Sequence, residues 1–351
     1  MSSNIYQSVF VANNGAIKLG KHVSCDGPTG ESESLHVVSH AHGDHFEEKD
    51  VKDSILSKKK IVSSEITREL MRYCELNLSA NNGYLSQQDV SVPKTYDCGV
   101  TVTLKESKHI LGSTQIQVDD PEIGSVGYSG DFNRGVEDFI QVDTLVLDAT
   151  SVGDFERKWN MDDVLEILSK EIKKSLQTGP VNICADNGLL QQIISEMDLR
   201  SSIPKVIGSN QIAHFSKVYN EYGFHQPEVL EKNSIEGKEL RISGNYIWLG
   251  RSMKDFPGAK PPGTTFYIRN FGILNESPIN KSRKVENQYN VGLSCHATLD
   301  ESLEYIRNVN PKIVITDSFR NQRGADTLAN QINGKFADIK ASSSQSINRH
   351  S

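Results

Sequence analysis

Through residue 150 the apolar positions fall in short, β-branched runs separated by polar turns. Ala16 to Leu19, Leu35 to Ser39, Val100 to Leu104, Ile116 to Val118, Ser125 to Tyr128 and Thr144 to Leu147 are predicted strands, since such side chains suit a pleated, half-buried surface. Ser64 to Tyr73 places its apolar residues at helical spacing and predicts a helix. The rhythm changes after Thr150. Met161 to Leu176 predicts an amphipathic helix, with Val164, Leu165, Ile167, Leu168 and Ile172 on one side and Gly179-Pro180 ending it. A short strand over Val181 to Ala185 and a helix over Gly188 to Met197 follow. The alternation runs on past Val206-Ile207 and Ile212 to Tyr219, which predicts a small α/β unit with a parallel sheet. Asp255 to Lys284 is rich in Gly, Pro, Asn and Lys and reads as a return connection. Val291 to Cys295, Leu299 to Val309 and Ile313 to Thr316 then resume a strand–helix–strand rhythm. The Ser-rich stretch 341–351 carries no period and is expected to be a flexible tail.

Composition bounds the function classes. With 351 residues, 36% hydrophobic and 24% charged, the chain has room for one large or two coupled domains. No run of about 18 apolar residues occurs, so no membrane span is expected. Met1 to Asn14 lacks the basic-then-apolar pattern of a signal peptide. Five cysteines (Cys25, Cys74, Cys98, Cys184, Cys295) lie scattered, which suits a reducing, cytoplasmic setting better than a disulfide framework. The net charge of -7 argues against a coat protein for nucleic acid, which needs many Lys and Arg contacts to phosphates. It leaves a nuclease open, because metal ions supply positive charge locally.

The chemistry is concentrated in His40-Ala41-His42-Gly43-Asp44-His45, directly after the strand Leu35 to Ser39. Residues two apart on an extended strand point the same way, so His40 and His42 can share one ion. Gly43 permits a sharp turn, after which Asp44 and His45 can hold a second. Three His at fixed offsets arise by chance in roughly 0.8% of such chains, so a fortuitous surface cluster is the weaker reading. His109, beside Gly112, and Asp131, beside Gly130, each follow a predicted strand and are further ligand candidates. Alone, either would be a turn or surface residue. A carboxylate such as Asp131 can bridge two cations. Imidazole and carboxylate favour zinc, with manganese or iron as alternatives.

These residues resemble a known family. His40 to His45 resembles the HxHxDH signature of metallo-β-lactamase-fold hydrolases, Asp26 falls where that family keeps a structural Asp, and His109 and Asp131 match its third and fourth motifs. His109-Ile110-Leu111-Gly112-Ser113 and Tyr128-Ser129-Gly130-Asp131-Phe132 resemble forms found in the β-CASP branch, which contains DNA- and RNA-cleaving enzymes. Leu147-Asp148-Ala149-Thr150 looks like its acidic motif A, and Leu293-Ser294-Cys295-His296-Ala297 like its motif B. Asp148 to Met197 reads closest to the exonuclease-like proteins associated with bacterial DNA ligases. RNA-processing members end a late strand with a His at motif C, and many DNA-processing relatives have Val. Val314-Ile315-Thr316-Asp317-Ser318 puts Asp317 at or next to that position.

The resemblance implies an α/β fold: an αββα metallo-β-lactamase sandwich from residues 1–155 and 283–340, with a β-CASP-like α/β cap inserted at 156–282. It implies two divalent ions, one held by His40, His42 and His109, the other by Asp44 and His45, with Asp131 bridging. Asp317, which departs from the motif C pattern, could be an oxygen ligand of the second ion and favour a harder metal, or that ion could be weakly held. It implies hydrolysis of DNA or RNA phosphodiesters by a metal-bound hydroxide, with DNA slightly favoured. Asp44, His296 and Asp148 would serve the catalysis, His296 contacting the phosphate or protonating the leaving oxygen while Asp148 orients it. The plainer alternatives are a buried histidine at His296, a helix cap or turn Asp at Asp148 and a turn Asp at Asp317. Cys295, on the opposite face from His296, is expected in the core. The same metal site could instead serve a small-molecule ester or lactone hydrolase, or persist in a non-catalytic nucleic-acid-binding relative. An insertion of about 130 residues and motif B weigh against the former. Lys58-Lys59-Lys60, Lys281 to Lys284 and Arg320 to Arg323 are basic clusters, expected as solvated faces unless they guide a strand. Trp248, Phe266 and Tyr267 could stack on bases, though core positions suit them better. A partner protein could supply basic surface that the acidic chain lacks. Oligomeric state is open.

Overall fold

β-Branched runs pair into three sheets in a computed structural model of the chain, which describes residues 2–30, 33–46, 57–72, 85–153, 158–196, 205–256, 261–269 and 277–345, with positions 49 and 54. The chain divides into two compact units, Met1–Asp154 with Cys295–Ser351, and Phe155–Ser294.

The first unit holds two sheets. One orders β1 (Val9–Val11), β2 (Ile17–Leu19), β3 (Val23–Cys25), β4 (Leu35–Val37), β5 (Lys60–Ser63) and β6 (Leu85–Gln87), parallel from β3 onward. The other runs from β7 (Lys94–Thr95), β8 (Thr101–Glu106) and β9 (Thr114–Asp120) to β10 (Gly124–Tyr128), then parallel through β11 (Thr144–Leu147), β19 (Ile313–Thr316) and β20 (Lys340–Ser343). Val23, Val37 and Val62 from the first sheet share one core with Leu104, Ile116, Val126, Val146 and Ile315 from the second, so the two sheets face each other. The alternate residues Leu145, Leu147 and Val314 pack outward on Leu303, Ile306, Leu328 and Ile332. Those four belong to the helices Leu299–Val309 and Gln322–Lys335. Strand alternation thus gives this sheet an apolar face on each side, and both are covered.

The second unit is a seven-stranded sheet ordered β14 (Val229–Glu231), β13 (Val206–Gly208), β15 (Ile247–Gly250), β12 (Val181–Cys184), β16 (Thr264–Arg269), β18 (Gln288–Gly292) and β17 (Ile279–Lys281), antiparallel only at β17. Helices Met161–Leu176 and Leu189–Glu196 bury Leu165, Leu168, Leu190 and Ile193 against Ile183, Leu249 and Phe266. Trp248 and Phe266 are core residues here, and Arg269 lies over the ring of the half-buried Tyr267.

Three expectations need correction. Asp255 to Lys284 is more than a return connection, because it contributes β16 and β17, and with β18 they keep the second unit going to Ser294 rather than residue 282. The expected tail begins with a strand: β20 pairs with β19, and the Asn333 side chain bonds both the N–H and carbonyl of Ala341. Residues 346–351 lie outside the described residues, as do Tyr73 and Met197 at the ends of two predicted helices. Lys59 is no solvated lysine; it is buried and bonded to Glu33. Among the described residues no helix is long and apolar enough to cross a membrane, and the four described cysteines are free thiols.

Candidate metal centre

Parallel pairing brings the site together by aligning strand ends. Asp26 follows β3 and Ser39 follows its neighbour β4, while Asp131, Asp148 and Asp317 follow β10, β11 and β19, three adjacent parallel strands. Functional groups of parallel sheets gather at such carboxyl ends. Asp26 adopts a left-handed backbone (φ 56), which Asp tolerates. One of its oxygens accepts the Ser39 N–H at 2.7 Å; the other accepts the Ser39 hydroxyl and His45 Nδ1, each at 2.7 Å.

The imidazoles are oriented by what their outer nitrogens bond. His40 Nδ1 reaches the Ser39 hydroxyl at 2.9 Å, which itself donates to Asp26, and His109 Nδ1 donates to the Cys295 carbonyl at 3.0 Å. Both rings therefore turn Nε2 inward as the lone-pair nitrogen. There His42 Nδ1 lies 3.0 Å from His40 Nε2 and 3.2 Å from His109 Nε2. Ligand atoms around a tetrahedral zinc, about 2.0–2.1 Å from each, stand about 3.3 Å apart. Burial, helped by the neighbouring histidines, holds His40 and His109 well below the usual imidazole range, in the neutral form that binds metal. The three nitrogens form one compact ligating group. Asp131 Oδ2 is 3.8 Å from His40 and His109, 3.1 Å from His45 Nε2 and 3.8 Å from His296 Nδ1. Burial alone would raise Asp131, but His45 and His296 hold it well below the usual carboxylate range. Among the described residues, Asp131 Oδ1 is buried without a hydrogen-bond partner, so a further ligand atom remains beside the three nitrogens, while His45 Nε2 is turned to Asp131 Oδ2. This donor set fits one divalent ion.

His296 Nδ1 pairs with Asp148 Oδ2 at 3.2 Å, and the Asp131 and Asp148 charges raise its pKa against the effect of burial. Asp148 is itself fixed, its N–H donating to the Ser129 hydroxyl and its Oδ1 accepting the Thr150 N–H. Asp44 and Asp317 are placed differently. Asp44 is 3.7 Å from His45 Nε2, but its Oδ2 accepts Arg320 Nε at 3.0 Å. Asp317 is buried, accepts the Phe319 N–H at 2.8 Å and lies 3.6 Å from Arg320 Nη1. Burial raises its pKa to about 6 although Arg320 opposes this. Neither joins the clustered ligating groups. Sequence pattern marks Arg320 only as part of a basic cluster and gives Ser39 and the Cys295 carbonyl no place in the site. The Ser39 hydroxyl, next to the first histidine, is a further signal that the sequence carries.

Two glycines make the loops possible. Gly112 (φ +82) leaves no room for a Cβ, which would meet Ile66 and the Thr67 N–H at 2.8 Å, and its carbonyl accepts the Ser64 and Thr67 hydroxyls. Gly130 (φ +59) would put a Cβ 2.4 Å from the Thr114 carbonyl oxygen. Thr114 also donates its N–H to the Ser39 carbonyl, so a shift there reaches both halves of the site. Gly130→Ala is expected to cost about 1–3 kcal/mol from the backbone alone and to weaken zinc binding. Thermal melts with and without zinc check both; an unchanged zinc response would separate Gly130 from the site.

No family model matches the chain. Over 126 residues it is 28% identical to an "Uncharacterized protein in lig 3'region" of Acidianus ambivalens, a stretch covering 35% of this chain and 89% of that protein.

Proposed function

We propose that this chain is a metal-dependent hydrolase of nucleic-acid phosphodiesters, with DNA slightly favoured over RNA. The observation that carries the reading is the convergence of His40, His42 and His109 nitrogens next to Asp131, with the Asp148–His296 pair alongside. The two facing sheets with helices on an outer face support the αββα metallo-β-lactamase sandwich, and the unit Phe155–Ser294 supports an inserted β-CASP-like cap. The printed name of the relative, in a lig 3' region, agrees with the likeness to ligase-associated exonuclease-like proteins.

His40, His42 and His109 would hold the ion, zinc first among the candidates, with Asp131 beside it. When bound, it supplies an activated water and positive charge toward the phosphate. His296 is the residue to contact the scissile phosphate or protonate the leaving oxygen, and Asp148 keeps its ring in place. The charge is brought by the site rather than by the surface, which fits a chain of net charge -7.

The test is incubation of matched, end-labelled single-stranded DNA and RNA with the full chain and zinc or manganese, next to an ester substrate. Strand cleavage that a chelator abolishes is the expected result, and the preferred strand assigns DNA or RNA. Ester turnover without strand cleavage would overturn the reading in favour of a small-molecule hydrolase. Bound metal with no turnover of either substrate would overturn it in favour of a non-catalytic relative.

A further inference from the structure

We infer that Arg320 supplies, from the chain itself, the positive charge that a second metal ion would bring, so that the centre takes one ion rather than two. The inference rests on the metal-hydrolase reading above. A second ion would need Asp44, His45 and Asp317, with Asp131 between the two metals. Two of these four carboxylate and imidazole groups are already turned to a guanidinium. Arg320 Nε donates to Asp44 Oδ2 at 3.0 Å, Nη2 donates to the Asp44 backbone carbonyl at 3.1 Å, and Nη1 lies 3.6 Å from Asp317 Oδ2.

The guanidinium is held on three sides by this fork, and its side chain is only 14% exposed. A planar fork presents several fixed donors, so one permanently charged side chain can serve both carboxylates at once. A divalent cation placed on Asp44 and Asp317 would have to displace Arg320 or sit against a like charge at close range. The contrast with the first group is local. His40 and His109 turn their Nε2 atoms toward His42 Nδ1 at 3.0 and 3.2 Å, and a cation placed there would be met by a nitrogen from each of the three rings. Asp44 and Asp317 instead have a cation in hand.

Position explains how one residue serves both carboxylates. Asp317 directly follows β19 and Arg320 comes three residues later, before the helix Gln322–Lys335 begins. The same turn therefore carries Asp317 and the side chain that neutralises it, and the length of an arginine takes the charge on to Asp44. A fixed cation in this position would stabilise negative charge developing on a substrate oxygen without itself being exchanged.

Counting ions tests this without reference to turnover. The full chain is saturated with zinc, freed of loose ions by gel filtration, and weighed by native mass spectrometry. One zinc per chain is expected for the wild type, two for Arg320→Ala, and one for Arg320→Lys, which keeps a charge there. Retention of the first zinc by Arg320→Ala shows that its fold survived. Two ions in the wild type or in Arg320→Lys, or fewer than two in Arg320→Ala, would overturn the inference. No zinc in the wild type would overturn it together with the metal reading beneath it. One zinc in a wild type that cleaves no strand would count against the nuclease alone and would support the single-ion centre.

Discussion

Replacing His42 and Asp131 together by Ala is expected to abolish zinc binding and to lower strand cleavage by about a thousandfold or more. The magnitude follows from what the ion contributes. Metal stabilisation of transition-state charge is worth several kcal/mol, and about 4 kcal/mol corresponds to roughly three orders of magnitude in rate. His42 is the hub of the nitrogen cluster, being the residue whose Nδ1 faces both His40 and His109. Asp131 is the carboxylate that all of His40, His45, His109 and His296 face. A second readout protects the interpretation. An ion that binds only the folded chain stabilises it by about 4 kcal/mol at a thousandfold excess over Kd. For a domain of this size that is roughly 8–16 °C in Tm. The wild type should show such a shift with zinc and lose it to a chelator; the double variant should melt at one temperature under both conditions. A zinc shift that survives in the variant would place the ion elsewhere, and cleavage that survives would detach the activity from this centre. The single variant His42→Ala, at a half-buried position, should lose the shift while melting near the metal-free wild type.

How much of this was legible before the structure depends on the kind of contact. Thr144–Leu147, Ile313–Thr316, Met161–Leu176 and Leu299–Val309 match their sequence boundaries, since each is long or apolar enough for periodicity to dominate. The His-x-His spacing was readable because one strand end sets it. That His109 would reach within 3.2 Å of His42 follows from the resemblance, not from spacing, for 67 residues separate them. Edge and return strands are the elements that sequence pattern conceals. Thr264–Arg269 is β-branched and aromatic but lies in a stretch rich in Gly and Pro, and composition over the window hid it. Lys340–Ser343 is an edge strand with Ala341 as its one apolar residue in the core, and pairing with β19 and the Asn333 side chain hold it in place. Lys59 and Arg320 show the same limit for charge. A run of lysines reads as a solvated face, yet the parallel register that sets Leu35 against Lys60 brings Lys59 to Glu33. Burial of a charge is decided by its partner, and the partner is distant in sequence.

Glu33→Gln is expected to destabilise the protein by about 3–5 kcal/mol at pH 7, because it leaves two buried ammonium groups without a counter-charge. Glu33 bonds Lys18 at 2.8 Å through one oxygen and Lys59 at 2.6 Å through the other, with Thr29 also donating to it. The Glu33 side chain is fully shielded, and Lys18 and Lys59 are nearly so. Each lysine also donates to one carbonyl, Lys18 to Lys21 and Lys59 to Gly30, which does not balance its charge. Burial alone would raise the Glu33 pKa, but the hydrogen bonds from Lys18, Lys59 and Thr29 outweigh it and bring it from 4.5 to about 2. A carboxylate depressed in the folded state adds stability that is full above its unfolded pKa and is lost as pH falls through the folded one. The gap between wild type and Glu33→Gln should therefore be constant from pH 7 down to about 4.5 and close between there and about 2. At that lower limit the wild-type Glu33 is itself protonated and resembles the amide. Denaturant unfolding of both proteins at matched pH values from 3 to 7 measures the gap, and one that stays constant throughout would mean that Glu33 is not the titrating partner. Replacing all three residues together with methionine gives the complementary result. If the cost of Glu33→Gln is the stranded charge, the triple variant should recover most of the loss, because an apolar cluster of similar volume avoids desolvating any ion.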